Sequence, residues 1–253
     1  MKILPRHVIC VLGHWDSFAP VQSIVDSVSS EFTLDLDYSQ LEHDNRMKAA
    51  FKASLDRNSP TIHGDEWRAI ASHSAVAYVL SPPVRKVEAE SIAATALLLV
   101  AELLKKGCVA AKSESAGLAH GRDRWLALAR QYRKAIKEGD THSASAALYR
   151  AWVQRAIHDE ETNSLYSVGM HLLGHRDIEI DDDHEVSDAV QWIDLMGLYL
   201  VADKPKRALR IGEGFRLSDS GPRRIIELDD CQRYAEDDFF FNPYGYIRLV
   251  NDD

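Results

Sequence analysis

Residue types that can do chemistry concentrate in two stretches of this chain. In the first, "YSVGMHLLGHRDIEIDDDHE" (Tyr166 to Glu185), His171 and His175 stand four apart, ahead of Asp177, Glu179, Asp181, Asp182, Asp183 and His184. On an α-helix two histidines at that spacing share a face and can hold one metal ion. The residues between them are Leu172, Leu173 and Gly174, so the glutamate that would serve as general base is missing. Glycine at that place also works against the helix the geometry requires. Read as a strand and turn, the stretch makes His171 a partly buried hydrogen-bonding residue. The run Asp181 to Asp183 lacks the alternate spacing and the glycine of a calcium loop. It fits the acidic start of a helix, where carboxylates complement the helix dipole, or an acidic recognition surface.

The second stretch is "KSESAGLAHGRDRWLALA" (Lys112 to Ala129), where a strand hands over to a helix. Ser113, Glu114, Ser115 and His120 supply the types of a nucleophile, an acid and a base, but "ESAG" is not a nucleophile elbow. Helix capping by Ser115 accounts for the pattern without catalysis. An enzyme reading, hydrolytic or metal-dependent, therefore rests on Glu114 with His120, or His171 with His175, in a cleft between two lobes. Near the C-terminus "DDFFFNPYGY" places five aromatic rings in ten residues. Rings left outside the core would make an interface anchor.

The elements that must position these groups follow from apolar spacing. "HVICVLG" and "FTLDLD" read as strands on either side of a helix whose Val21, Ile24, Val25 and Val28 share a face. "AVAYVLSPP" reads as a buried strand ended by two prolines, and 84–106 as a deep helix capped by Gly107. "CVAAK" should be the next strand, and 118–137 a helix ending at Gly139-Asp140. After an alanine-rich turn, "RAWVQRAIHD" alternates as a strand, with "LYSVGMHLLG" as its neighbour. "EVSDAVQWIDLMGLYLVAD" returns to helical spacing. "RALRIGEGFRLS", "RRIIELDD" and "GYIRLV" read as short strands joined by turns. The sum is an α+β protein with mixed or antiparallel sheets flanked by helices, in two lobes, 1–140 and 141–253. A parallel dinucleotide-binding sheet would need a Gly-rich first turn, which "VLGHWDSFAP" does not supply.

The chain has 253 residues and a formal net charge of −9. Residues 1–176 carry +1 and residues 177–253 carry −10, so the acidity belongs to the last third. Such a field repels nucleic-acid phosphates and favours basic partners. Cys10, Cys108 and Cys231 form no C-x-x-C pair, which argues against a disulfide framework and fits a reducing cytoplasm. No stretch has the length of a membrane span or the pattern of a secretory leader. Neither metal nor cofactor is expected.

"VAYVLSPP", "KSESAGLAHGRDRW", "LYRAWV" and "YSVGMHLLGHRDIEI" resemble a family of uncharacterised bacterial proteins, over roughly residues 8 to 200. The last block is similar to the G-x-x-x-L-G-x-x-D/E-x-E-I signature of a broader domain of unknown function. The resemblance implies a shared scaffold in which Gly169, Gly174, Asp177 and Glu179 have no known catalytic duty. In its acidic, α+β, motif-poor profile the chain is also similar to immunity proteins of bacterial toxins, including those of type VI secretion. That likeness implies a non-catalytic antagonist that docks a basic toxin. The candidate contacts are Asp181, Asp182, Asp183, Glu185, Asp188, Asp229, Asp230, Asp237 and Asp238. A homodimer through the aromatic C-terminal edge is a third reading.

Overall fold

The central strand of the first sheet, β1 (Val8–Gly13), is buried along its whole length, and its composition explains why. Ile9 and Val11 point into one apolar cluster, Cys10 and Leu12 into another, so both faces are covered and the run is apolar throughout. In this computed structural model, which describes residues 3–181 and 186–252, β1 pairs antiparallel with β3 (Ala75–Leu80) and β4 (Ala110–Ser113). Strand β2 (Thr33–Gln40) adds to β3, and β5 (Leu118–Ala119) to β4, giving the order β2-β3-β1-β4-β5. Helices α1 (Ala19–Val28) and α4 (Ala89–Lys105) cover the Ile9 face, and α2 (Met47–Ala53) and α3 (Gly64–Ser72) the Cys10 face.

Helix α4 is apolar over most of its circumference because most of it is packed, which leaves Ser91, Thr95, Glu102 and Lys105 along one partly exposed stripe. It meets α1, α5 (Arg122–Glu138) and α6 (Thr141–Trp152), and the Trp152 indole donates to the Ala93 carbonyl at 3.0 Å. One apolar cluster runs from β1 through α4 and α6 to Ile178, Ile180, Ile226 and Leu249 of the second sheet. That sheet has the order β6-β7-β8-β11-β10-β9, from β6 (Gln154–Asp159), β7 (Ser164–Val168), β8 (Asp177–Asp181), β9 (Gly214–Arg216), β10 (Arg223–Asp229) and β11 (Tyr246–Asn251). Only β8 and β11 run parallel among the described strands. Helix α7 (Val186–Leu198) continues into one π turn, Tyr199–Asp203. The fold is α+β, with mostly antiparallel sheets flanked by helices.

Three stretches differ from the expectation drawn from spacing, and in one of them the strand expected over "LYSVGMHLLG" ends at Val168, with Met170–Leu173 forming a 3₁₀ turn. Residues 141–152 are helical rather than a turn and strand start, because Asp140 caps the helix by accepting from the Ser143 amide at 2.9 Å. Ala144, Ala147, Leu148 and Ala151 then lie buried on helical spacing. Leu118 and Ala119 pair with β4, and the helix after them starts only at Arg122. Gly121 lets that start lie against the Thr61 carbonyl, which an added Cβ would approach to 2.2 Å. Among the described residues no helix is long and apolar enough to cross a membrane.

Candidate functional site

A cleft of about 920 Å³ opens on the exposed half of the first sheet. Strand register sets its floor: Asp35 lies opposite Tyr78, Tyr78 opposite Cys10, and Cys10 opposite Lys112, so that Asp35, Tyr78 and Lys112 line the cleft and Cys10 lies buried between them. Lys112 is only 5 % exposed, and its ammonium sits 2.6 Å from the Glu114 carboxylate. Burial drives the Cys10 thiol up to about 12, with the Glu114 charge adding to it, and burial also raises the Tyr78 phenol. Both stay protonated at neutral pH, so Tyr78 presents a neutral phenol to the cleft and the Cys10 thiol beneath it is not activated.

The rim is of a different character. Tyr38 is 75 % exposed, Phe239 is 57 % exposed, and Ile3 and Leu4 stand beside them. Tyr38 is displayed by an irregularity in β2, whose register breaks between Asp35 and Gln40. The Asp35 carboxylate accepts from the amides of Asp37 and Tyr38, and Ser39 Oγ donates to the Asp35 carbonyl while accepting from the Tyr78 amide. Side chains thus fill the ladder, and the bulge turns Leu36 and Tyr38 outward. Glu236, Asp237 and Asp238 line the opposite wall, where Asp238 also accepts from the Phe240 amide. Of the three cations in the lining, Lys112 is paired with Glu114 and Arg46 with Asp44, leaving Arg6 against Asp35 and the three wall carboxylates.

The acidic residues singled out from sequence fall in four places. Asp237 and Asp238 line this cleft, and Asp230 lines a second one. Asp181 and Asp229 lie 3.7 and 3.6 Å from the Arg248 guanidinium, which also reaches Glu179 and Glu227. Asp188 is in the first turn of α7, while Asp182, Asp183 and Glu185 lie outside the described residues. Part of the acidic side-chain set of the last third is therefore paired inside the second sheet, with an arginine that the net −10 already counts.

The candidate catalytic residues are dispersed. Glu114 lines the cleft, but His120 is buried edge-on to Trp125 at 4.8 Å, and burial lowers its pKa to about 4. His171 belongs to a 3₁₀ turn, Met170–Leu173, and is wholly buried with Nδ1 4.0 Å from Asp177. His175 lines the second cleft, its pKa lowered to about 4 by burial and then by Lys86. Among the described residues no group of three or more His, Cys, Asp or Glu is placed to hold a metal ion.

The signature residues have structural work. Gly169 takes φ +115°, and a Cβ there would lie 2.0 Å from the Trp152 carbonyl oxygen. Gly174, at φ +79°, passes under the Lys86 backbone. Asp177 accepts from Ser167 Oγ, the Met170 amide and Asn242 Nδ2, and Glu179 binds Arg233 and Arg248. Spacing did not reveal the rim residues Ile3, Leu4, Leu36 and Tyr38. The one signal for the last two was "DLDYS", whose Asp and Ser favour local backbone bonds over a regular ladder. No protein family, curated protein or solved structure matches the chain.

Proposed function

We propose that the chain is a non-catalytic binding protein of the immunity type, acting in the cytoplasm to neutralise a cognate bacterial toxin. The toxin segment it takes is basic and carries apolar side chains, and it lies in the cleft over the first sheet. One observation carries this reading: four of the eleven exposed large apolar side chains among the described residues, Ile3, Leu4, Tyr38 and Phe239, gather around one acidic cleft. Apolar surface concentrated beside polar residues marks an interaction site, and carboxylates without cationic partners among the described residues favour a basic one. A type VI secretion nuclease, whose own surface must attract phosphates, has that character. Strand β2 is an edge of its sheet, along which an extended segment can pair outside the bulge.

The test is co-purification with the protein encoded next door, together with rescue of cells from its toxicity. Tyr38→Ala with Phe239→Ala, and separately Asp237→Lys with Asp238→Lys, should each weaken binding by about tenfold or more. Full protection by both double variants would overturn the cleft as the docking site, and no binding by the unaltered chain would overturn the immunity reading. Self-association through Phe239 would appear instead as a concentration-dependent mass in solution.

A further inference from the structure

A second cleft, of about 880 Å³, has the opposite electrostatic character from the first and lies on the other side of Pro243, which lines both. Five cationic side chains line it, against the carboxylates of Glu90 and Asp230. Two of the five are committed, Lys204 to Glu90 at 2.8 Å and Arg207 to Glu213. Lys86, Arg176 and Lys206 have no carboxylate partner among the described residues. Concentrating three such charges costs free energy through mutual repulsion, which an anionic ligand would relieve.

Arg176 is the most informative of the three. Its Nη1 donates to the carbonyls of Asp229 and Tyr246, at 2.9 and 3.4 Å, which fixes the guanidinium while leaving its charge unneutralised. Nη2 and Nε have no hydrogen-bond partner among the described residues, so a donor fork is held in place for a ligand. Lys86 is steered by the Tyr244 ring, its Nζ 5.7 Å from the centroid. The positive φ of Gly174 lets the 174–176 turn pass beneath the Lys86 backbone. The neutral His175 imidazole adds hydrogen-bonding capacity beside these cations. Leu200, Leu209 and Ile247 supply an apolar half. The volume falls within the range of about 300–1,000 Å³ usual for small-molecule sites.

We propose that this cleft binds a phosphorylated small molecule, its phosphate oxygens held by Arg176, Lys86 and Lys206 and its organic part lying against Leu200, Leu209 and Tyr244. The site is independent of the toxin-docking cleft and stands or falls without it. Because the chain as a whole is acidic, with a net charge of −9, capture depends on this local field and weakens with salt.

Calorimetric titration of the full chain with inorganic pyrophosphate, and in parallel with adenosine diphosphate, tests the proposal. Lys86→Ala with Lys206→Ala should lower the pyrophosphate affinity by about tenfold or more. Lys134→Ala with Lys137→Ala removes the same charge from the exposed face of α5 and should leave it within about twofold. Tighter binding of the diphosphate than of pyrophosphate places an organic moiety on the apolar half, and equal binding identifies the inorganic group as sufficient; both support the site. No binding of either probe at millimolar concentration, or equal losses in the two double variants, would overturn it.

Discussion

The side-chain amide of Asn242 donates to Asp177 Oδ2 at 2.7 Å and to the His175 carbonyl at 3.0 Å, with both Asn242 and Asp177 wholly buried. This pair anchors the wall shared by the two clefts, because Phe241 lines the first and Tyr244 the second. Asn242→Ala takes one donor from a buried carboxylate and leaves Ser167 and the Met170 amide as its partners. The expected loss is about 2–3 kcal/mol of unfolding free energy, measured by urea denaturation. Asn242→Asp should be worse, since it adds a second carboxylate where a donor stood. Unchanged stability in both variants would remove the anchoring role.

Arg233 locks the outer face of the second sheet. Its guanidinium carbon lies 4.0 Å from the Tyr166 ring centroid and 5.0 Å from that of Tyr246, while its nitrogens meet Asp159 at 2.6 Å and Glu179 at 2.8 Å. Arg233→Met keeps much of the volume and strands part of the Glu179 charge. Removing one partner of a buried pair costs about 3–5 kcal/mol, and the remaining Arg248 contact at 3.0 Å puts the expected loss near the lower figure. A loss no larger than that of an exposed substitution such as Arg130→Met would refute the lock.

Much of the scaffold is legible because burial on two faces leaves apolar runs, as in β1, and burial of most of a helix narrows its polar stripe, as in α4, to Ser91, Thr95, Glu102 and Lys105. Helix α6 was missed because "RAWVQ" alternates by chance, whereas the decisive Asp140 cap depends on a backbone conformation. The two clefts were not legible at all. Asp35 and Lys112 are 77 positions apart and meet only through strand register. Lys86, Arg176 and Lys206 similarly come together from three separate connections. The acidic last third was read correctly as composition, yet Asp181 and Asp229 face Arg248, a pairing that charge counting along the chain does not show.

Two buried histidines set an acid limit on stability. Burial lowers His7 to about 3 and His120 to about 4, from an ordinary value of 6.5. Each is neutral in both folded and unfolded chains above pH 6.5, so no penalty exists there. Below that value the unfolded chain binds the proton and the folded chain does not, so stability falls as pH falls, by about 1.4 kcal/mol per pH unit for each histidine. The loss continues until the folded-state values, about 4 and then about 3, are reached. Urea titrations between pH 7 and 5 should show His120→Gln with a shallower decline than the unaltered chain. Parallel slopes would mean that His120 titrates normally in the fold.

Gly169 links sequence signature to geometry. At φ +115° an alanine is strained, and its Cβ would press on the Trp152 carbonyl at the junction of α6 and β6. Gly169→Ala should cost more than about 1 kcal/mol of stability, whereas Gly107→Ala, also at positive φ but with open space around it, carries the conformational cost alone. Thermal denaturation that ranks the two variants in the reverse order would show that the close approach is relieved by a backbone shift.

In the docking we propose, the bulge in β2 connects local hydrogen bonding to partner capture. Ser39 Oγ donates to the Asp35 carbonyl at 2.5 Å and accepts from the Tyr78 amide at 3.0 Å, standing in for ladder bonds that the extra residues displace. Without the hydroxyl, the Tyr78 amide loses its acceptor and the strand gains by drawing back toward a regular ladder, which pulls Tyr38 off the rim. Ser39→Ala should therefore cost only about 1 kcal/mol of stability while weakening toxin binding by about fivefold. Hydrogen exchange separates this from general loosening: the amides of Asp37 and Tyr38, bonded to the Asp35 carboxylate, should exchange faster, and those of β1 should not change. If exchange in the bulge rises but toxin binding is unaffected, the display of Tyr38 is not what the partner reads.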